Sequence, residues 1–221
     1  MLVKSRALRL FLLPVGGLTV LATLVVAFAL PKREPVYEGA TIDQRLSREG
    51  KVPYEALVVL GTNNLSLLLR RLTYDPDKDI VLRLYGKLPQ RLSRTRKITE
   101  LVVNSVVRKE EQAEVAGRLL RALGSRASPV VPELIQVAQA DGRAPAGRAI
   151  NVLESIGEEA WPAMIPLTGH TNKATAIQVV RCLALHTTST RLREALTNAL
   201  TDPNPRVRKG ANDLLAGRGY R

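Results

Sequence analysis

The stretch DPNPRVRKGANDLLAG, Asp202–Gly217, decides how this chain is read. A proline-bracketed turn leads straight into Val207-Arg208 and then into a run with helical Ala/Leu spacing. Written as ten slots from Val207 to Ala216, the helix has its apolar slots at one, five, eight and nine: Val207, Ala211, Leu214 and Leu215. Slots five, eight and nine lie on one stripe, so the helix has one face to bury. The fold depends on whether this pattern occurs once or recurs.

It recurs. VAGRLLRALG, Val115–Gly124, places Val115, Leu119, Ala122 and Leu123 in the same slots. PAGRAINVLE, from Pro145, supplies Ala149, Val152 and Leu153 and runs on to Gly157. TAIQVVRCLA, from Thr175, supplies Val179, Cys182 and Leu183. Far upstream, VPYEALVVLG supplies Val52, Ala56, Val59 and Leu60 before Gly61. The later copies start at 115, 145, 175 and 207, spacings of 30, 30 and 32 residues.

The intervals between copies fit a partner helix. Ala127/Pro129 and Ala160/Pro162 stand at one offset from Gly124 and Gly157, so glycine ends one helix and proline opens the next. After Gly61, TNNLSLLLRRLTYD follows the same plan, and STRLREALTNALTD spaces Leu192, Ala195, Leu196 and Leu200 helically. A pair of helices of about 30 residues cannot bury two apolar stripes alone, but stacked neighbours can. The predicted fold class is all-α: an α-solenoid of helix pairs over 51–221, with an insertion at about 75–95. In that insertion Asp75-Pro76-Asp77 reads as a turn, and Val81, Leu84, Tyr85 and Leu88 share a helical face that suits a packing wedge.

The pattern resembles HEAT repeats, in the short form also found in phycobilin-lyase-type repeats. Asp202, Pro203, Val207 and Arg208 match that family's Asp-Pro…Val-Arg signature, and RAINVLESIG matches its Ala-x-x-x-Leu-x-x-Ile-Gly ending. LGTNNLSLLLRRL and the linker EPVYEG, Glu34–Gly39, resemble segments of exported bacterial HEAT-repeat proteins. The resemblance covers roughly 52–74 and 96–217. The family's slot-two arginine survives only as Arg208; Ala116, Ala146 and Ala176 stand in the other copies, so no continuous Asp–Arg ladder links the repeats.

The first thirty residues stand apart. Lys4, Arg6 and Arg9 precede the uncharged run Leu10–Leu30, whose 21 residues would span roughly 31 Å as a helix, about one hydrocarbon core. The run reads as an N-terminal transmembrane signal anchor, with Ala27-Phe28-Ala29 as a cleavage option that would leave a secreted or periplasmic protein. Residues 31–50 serve as a linker and leading helix. The expected location is a single-pass cell-membrane protein with its solenoid on the exported side. Without the leader's three basic residues, 33 basic and 20 acidic side chains become 30 and 20, a balance of +10 that attracts anions.

Catalytic signals are weak. His170 and His186, the only histidines, have no second His or Cys at metal-ligand spacing, and both read as helix-end residues. Cys182, the only cysteine, sits in VVRCLAL as a small core residue. The pairs Glu110-Glu111 and Glu158-Glu159 read as helix-start charges, and Trp161 as a core wedge. No nucleophile elbow, phosphate loop or metalloprotease motif is present. The expectation is a protein that is not an enzyme and takes no cofactor or metal.

Slots four and seven face away from the stripe, and there Arg118, Arg121, Arg148 and Arg181 read as a basic partner-binding track along the concave face. The expected function is a membrane-tethered, non-catalytic scaffold for a protein partner, acidic by complementarity. The cluster RLSRTRK, Arg91–Lys97, lacks the aromatic platform of single-strand binders and reads as a solvated loop. A HEAT-like nucleic-acid-binding protein is the alternative, opposed by export. A lyase-type HEAT protein is a third reading, resting on the phycobilin-lyase resemblance alone.

Overall fold

A computed structural model describes residues 23–25, 27, 36–37, 40–41, 62, 64–140 and 143–218. The predicted helix over 52–61 lies outside the described residues, as does the leader except for Thr23–Val25 and Ala27. Among the described residues no helix is long and apolar enough to cross a membrane.

Apart from a hairpin of two-residue strands, β1 (Val36–Tyr37) and β2 (Ala40–Thr41), the described elements are helical. The α-helices are α1 (Leu65–Leu72), α2 (Ile80–Tyr85), α3 (Gln90–Ser93), α4 (Arg96–Leu123) and α5 (Val131–Gln139). They continue with α6 (Arg143–Ile156), α7 (Trp161–Met164), α8 (Lys173–Ala184), α9 (Thr190–Ala199) and α10 (Pro205–Leu215). Two compact units result: Met1–Val36 with Pro76–Glu111, and Tyr37–Asp75 with Gln112–Arg221.

In the first unit the turn at Asp75-Pro76-Asp77 becomes a short 3-10 segment, Pro76–Lys78. Asp79 then opens α2: its Oδ1 accepts the Val81 amide at 2.7 Å, while Lys109 Nζ lies 2.7 Å from Oδ2. This carboxylate is buried, so the cap and the ammonium together replace its lost water. Val81 and Leu88 pack with Val102 in one apolar cluster, against which Leu84 and Tyr85 lean. The helical face read from sequence is therefore a buried face. Val25, from within the apolar leader run, is buried in the same cluster. The Tyr85 hydroxyl donates to the Ser93 carbonyl at 2.7 Å and ties α2 to the end of α3.

The second unit is built from consecutive helix pairs. α5 packs on α6, α6 on α8, and α8 on α10, while α7 packs on α5 and α9, and α9 on α10. One continuous core runs through them, and Leu68 and Leu72 of α1 belong to it. Gly124 (φ 54°) and Gly157 (φ 92°) follow α4 and α6 in the left-handed region that glycine enters without steric cost. Pro132, Pro162 and Pro205 stand in the first turns of α5, α7 and α10, where no amide partner is lost.

The buried arc is wider than one stripe. Slot six is buried as Leu120, Ile150 and Val180, and slot two as Ala116 and Ala146. Ala122, in slot eight of the first copy, is exposed instead. A helix flanked by neighbours on two sides buries more of its circumference than one lying on a single partner. Alanine at slot two fits that demand where a long charged side chain would not.

The opening stretch stitches itself. Asp202 Oδ1 accepts the Asn204 amide at 2.7 Å, and Asn204 Oδ1 accepts that of Arg206 at 3.0 Å. Arg208 Nη1 donates to the carbonyls of Asp202 and Pro203 at 2.7 and 3.1 Å, so this arginine caps its own turn. α10 lies very close to the 3-10 segment Ile165–Gly169: a Cβ added at Gly210 would sit 2.7 Å from Thr168 Oγ1 and 2.8 Å from its Cβ.

Candidate functional site

The four arginines read as one track part company. Arg118 and Arg121 on α4 and Arg181 on α8 are exposed. Arg148 on α6 is 8% exposed and faces inward, a correction to its expected place on the surface. Its Nε donates to the Leu72 carbonyl at 3.2 Å, its Nη2 to the Tyr74 carbonyl, and its Nη1 to Glu114 Oε1 at 3.3 Å. A guanidinium thus takes up carbonyls at the C-terminal end of α1, where partial negative charge collects. The physical reason lay in the helix geometry. Slot four falls only about 40° round the helix from slot eight, on the flank of the stripe rather than opposite it. Gly210, also in slot four, is buried as well.

What remains exposed is the slot-seven row, with Arg121, Asn151 and Arg181 on α4, α6 and α8, and Arg118 beside it. Between the outer members Gln178 Nε2 donates to Asn151 Oδ1 at 2.9 Å, a neutral bridge from α8 to α6. The exposed basic residues can attract a carboxylate-rich surface; nothing in the row offers a nucleophile or a proton-transfer partner.

The other candidates assemble into structure. Cys182 is buried, and its thiol donates to Glu154 Oε2 at 3.3 Å. Burial, and then the charge of and hydrogen bond to Glu154, push the thiol from its ordinary 9.0 to about 12. His186 stacks on half-buried Trp161 with centroids 4.0 Å apart, and its Nε2 lies 3.9 Å from Glu154 Oε1, beyond hydrogen-bond reach. Trp161 Nε1 donates to the Glu154 carbonyl at 3.3 Å. His170 closes the Ile165–Gly169 segment: its Nδ1 accepts the Asn172 amide at 3.0 Å, which leaves Nε2–H to donate to the Gln139 carbonyl at 3.1 Å.

A cleft of about 300 Å³ opens between α8 and α10, walled by Lys173 and Ala176 on one side and by Arg206, Lys209, Gly210 and Asp213 on the other. Thr168, His170 and Thr171 close it off. Lys173, Arg206 and Lys209 are exposed, and none forms an ion pair among the described residues. The signal was present as Arg206, Lys209 and Asp213 at helical spacing, but only the packing of two helices turns that face into a wall.

Comparison of the chain with protein-family models, characterised proteins and solved structures finds no match.

Proposed function

We propose that the chain is a membrane-tethered α-solenoid of HEAT-like helix pairs, a non-catalytic scaffold that holds an acidic protein partner on Arg118, Arg121 and Arg181. The observation that carries this reading is that these three cations stand exposed on helices whose other faces are spent on a shared core. Packing between successive helix pairs supports the solenoid, because such stacking leaves one face of every unit free to touch something else. Arg148 has no part in the binding row. The tether rests on the apolar run Leu10–Leu30.

The test compares the full chain with a variant carrying R118E, R121E and R181E, by crosslinking at the membrane followed by recovery of bound protein. The scaffold reading expects a partner of net negative charge to be lost from the triple variant, whose melting temperature stays unchanged. Equal recovery from both chains rejects the arginine row. Tight binding of a mixed-sequence oligonucleotide that weakens steeply with salt would replace the scaffold by the nucleic-acid reading.

A further inference from the structure

We propose that the cleft between α8 and α10 is a peptide-binding pocket that reads an acidic side chain at one end and a hydrogen-bond donor at the other. Its basis is separate from the arginine row, because it uses none of Arg118, Arg121 and Arg181. Three cations from two helices, none in an ion pair among the described residues, line one concavity. Three like charges that outnumber the cleft's single carboxylate, Asp213, repel one another, and an anion seated among them relieves that repulsion.

Which anion follows from the rest of the lining. Asp213 belongs to the same wall, seven residues beyond Arg206 on α10, or about 10 Å along the axis. A carboxylate there repels a ligand charged negatively along its whole length, such as a nucleic-acid backbone or an anionic lipid surface. It favours a ligand whose far end donates a hydrogen bond or carries a positive charge. Gly210, between Arg206 and Asp213 on α10, and Ala176 and Val180 on α8 give the middle of the lining small or apolar residues. That middle accepts chain rather than a second charge. An extended peptide covers about 10 Å in three residues. The matching ligand is therefore Asp or Glu followed, three residues on or three before, by Lys or Arg, with small or apolar residues between. At about 300 Å³ the cleft has room for about two side chains, the acidic and the basic one, and lies at the small end of ligand pockets.

The experiment titrates the full chain with the fluorescein-labelled peptides acetyl-Glu-Leu-Ala-Lys-amide and acetyl-Lys-Ala-Leu-Glu-amide, read by anisotropy. Inorganic phosphate, a dT oligonucleotide and anionic phospholipid vesicles serve as competitors. Saturable binding of at least one peptide is expected, weakened about tenfold or more by K209E, by R206E, or by Gln in place of the peptide's Glu. D213N should weaken the Lys-bearing peptide and leave a version with norleucine in place of Lys unaffected. The R118E/R121E/R181E chain should bind the peptides as the unaltered chain does. That separates failure of the cleft from failure of the arginine row. The proposal is overturned if neither peptide saturates, if K209E and R206E bind as well as the unaltered chain, or if phosphate, oligonucleotide or vesicles displace the peptide at lower charge-equivalent concentration than unlabelled peptide. Because Arg206 and Lys209 are exposed, their variants should keep the unaltered melting temperature.

Discussion

The Arg148 guanidinium sits among the carbonyls of Leu72 and Tyr74, just where α1 ends, and reaches the Glu114 carboxylate. Arginine is common on exposed helix faces, yet this one is 8% exposed and satisfied by two carbonyls and a carboxylate. Replacing it with alanine strips buried carbonyls of their donors and should cost about 2–4 kcal/mol in urea unfolding. Glu114 is 57% exposed on its side chain, so water screens the pair, and E114Q should change stability by no more than about 0.5 kcal/mol. Equal losses for the two variants would mean that the ion pair, rather than the carbonyls, holds the arginine in place. Cys182 yields a second prediction. With its thiol held near 12, it should resist alkylation at pH 8 in the folded chain and react on unfolding. The folded state holds this proton more tightly than the unfolded state does. Its contribution to stability is complete below pH 9.0 and is lost as pH rises through about 12, so C182S should show a shallower alkaline decline. The apolar neighbours of Cys182 made its burial legible in sequence. Its bond to Glu154, 28 residues away, was not, because periodicity says nothing about which side chain a neighbouring helix presents.

At the scale of the element, punctuation was the most legible feature and close approach the least. Glycine after a helix and proline before the next were both readable, since each reflects backbone chemistry within a few residues. Gly210 gave no such clue: inside a helix it looks like a weak spot, whereas here it lets α10 approach Thr168. G210A should therefore destabilise by about 1–3 kcal/mol through overpacking. Gly117, within α4, would place a new Cβ with nothing inside 4 Å, so G117A should stabilise by up to about 1 kcal/mol. If thermal unfolding shows the two substitutions acting alike, close approach is not what fixes the α10 register. Slot two supplies a matching test. Ala146 is 2% exposed, so A146R should cost about 3 kcal/mol or more. A neutral A146R would show that the helices on either side of α6 can move apart. The sequence shows only a small residue at this slot; the structure supplies a reason for its size, a helix with neighbours on two sides.

Over the whole molecule, the 30- and 32-residue period made the helix pairs of the second unit readable, because each pair repeats one local solution. The first unit was harder. Its core joins residues of the interrupting segment to Val25, which in sequence belongs to an unbroken apolar run and carries no mark of a protein partner. Periodicity cannot reveal a contact between two stretches that do not share the period. Arg148 bears on this division in one further way. The Tyr74 carbonyl and the Glu114 carboxylate bond to the same guanidinium, and they flank Pro76–Glu111 on either side. Arg148 therefore holds together, within the second unit, the two points of chain that border the intervening segment, so that this segment can be treated as a removable cassette. A chain starting at Tyr37, with a short glycine–serine bridge in place of the cassette, should unfold in a single cooperative transition. A broad, non-cooperative melt would mean that the host needs its passenger.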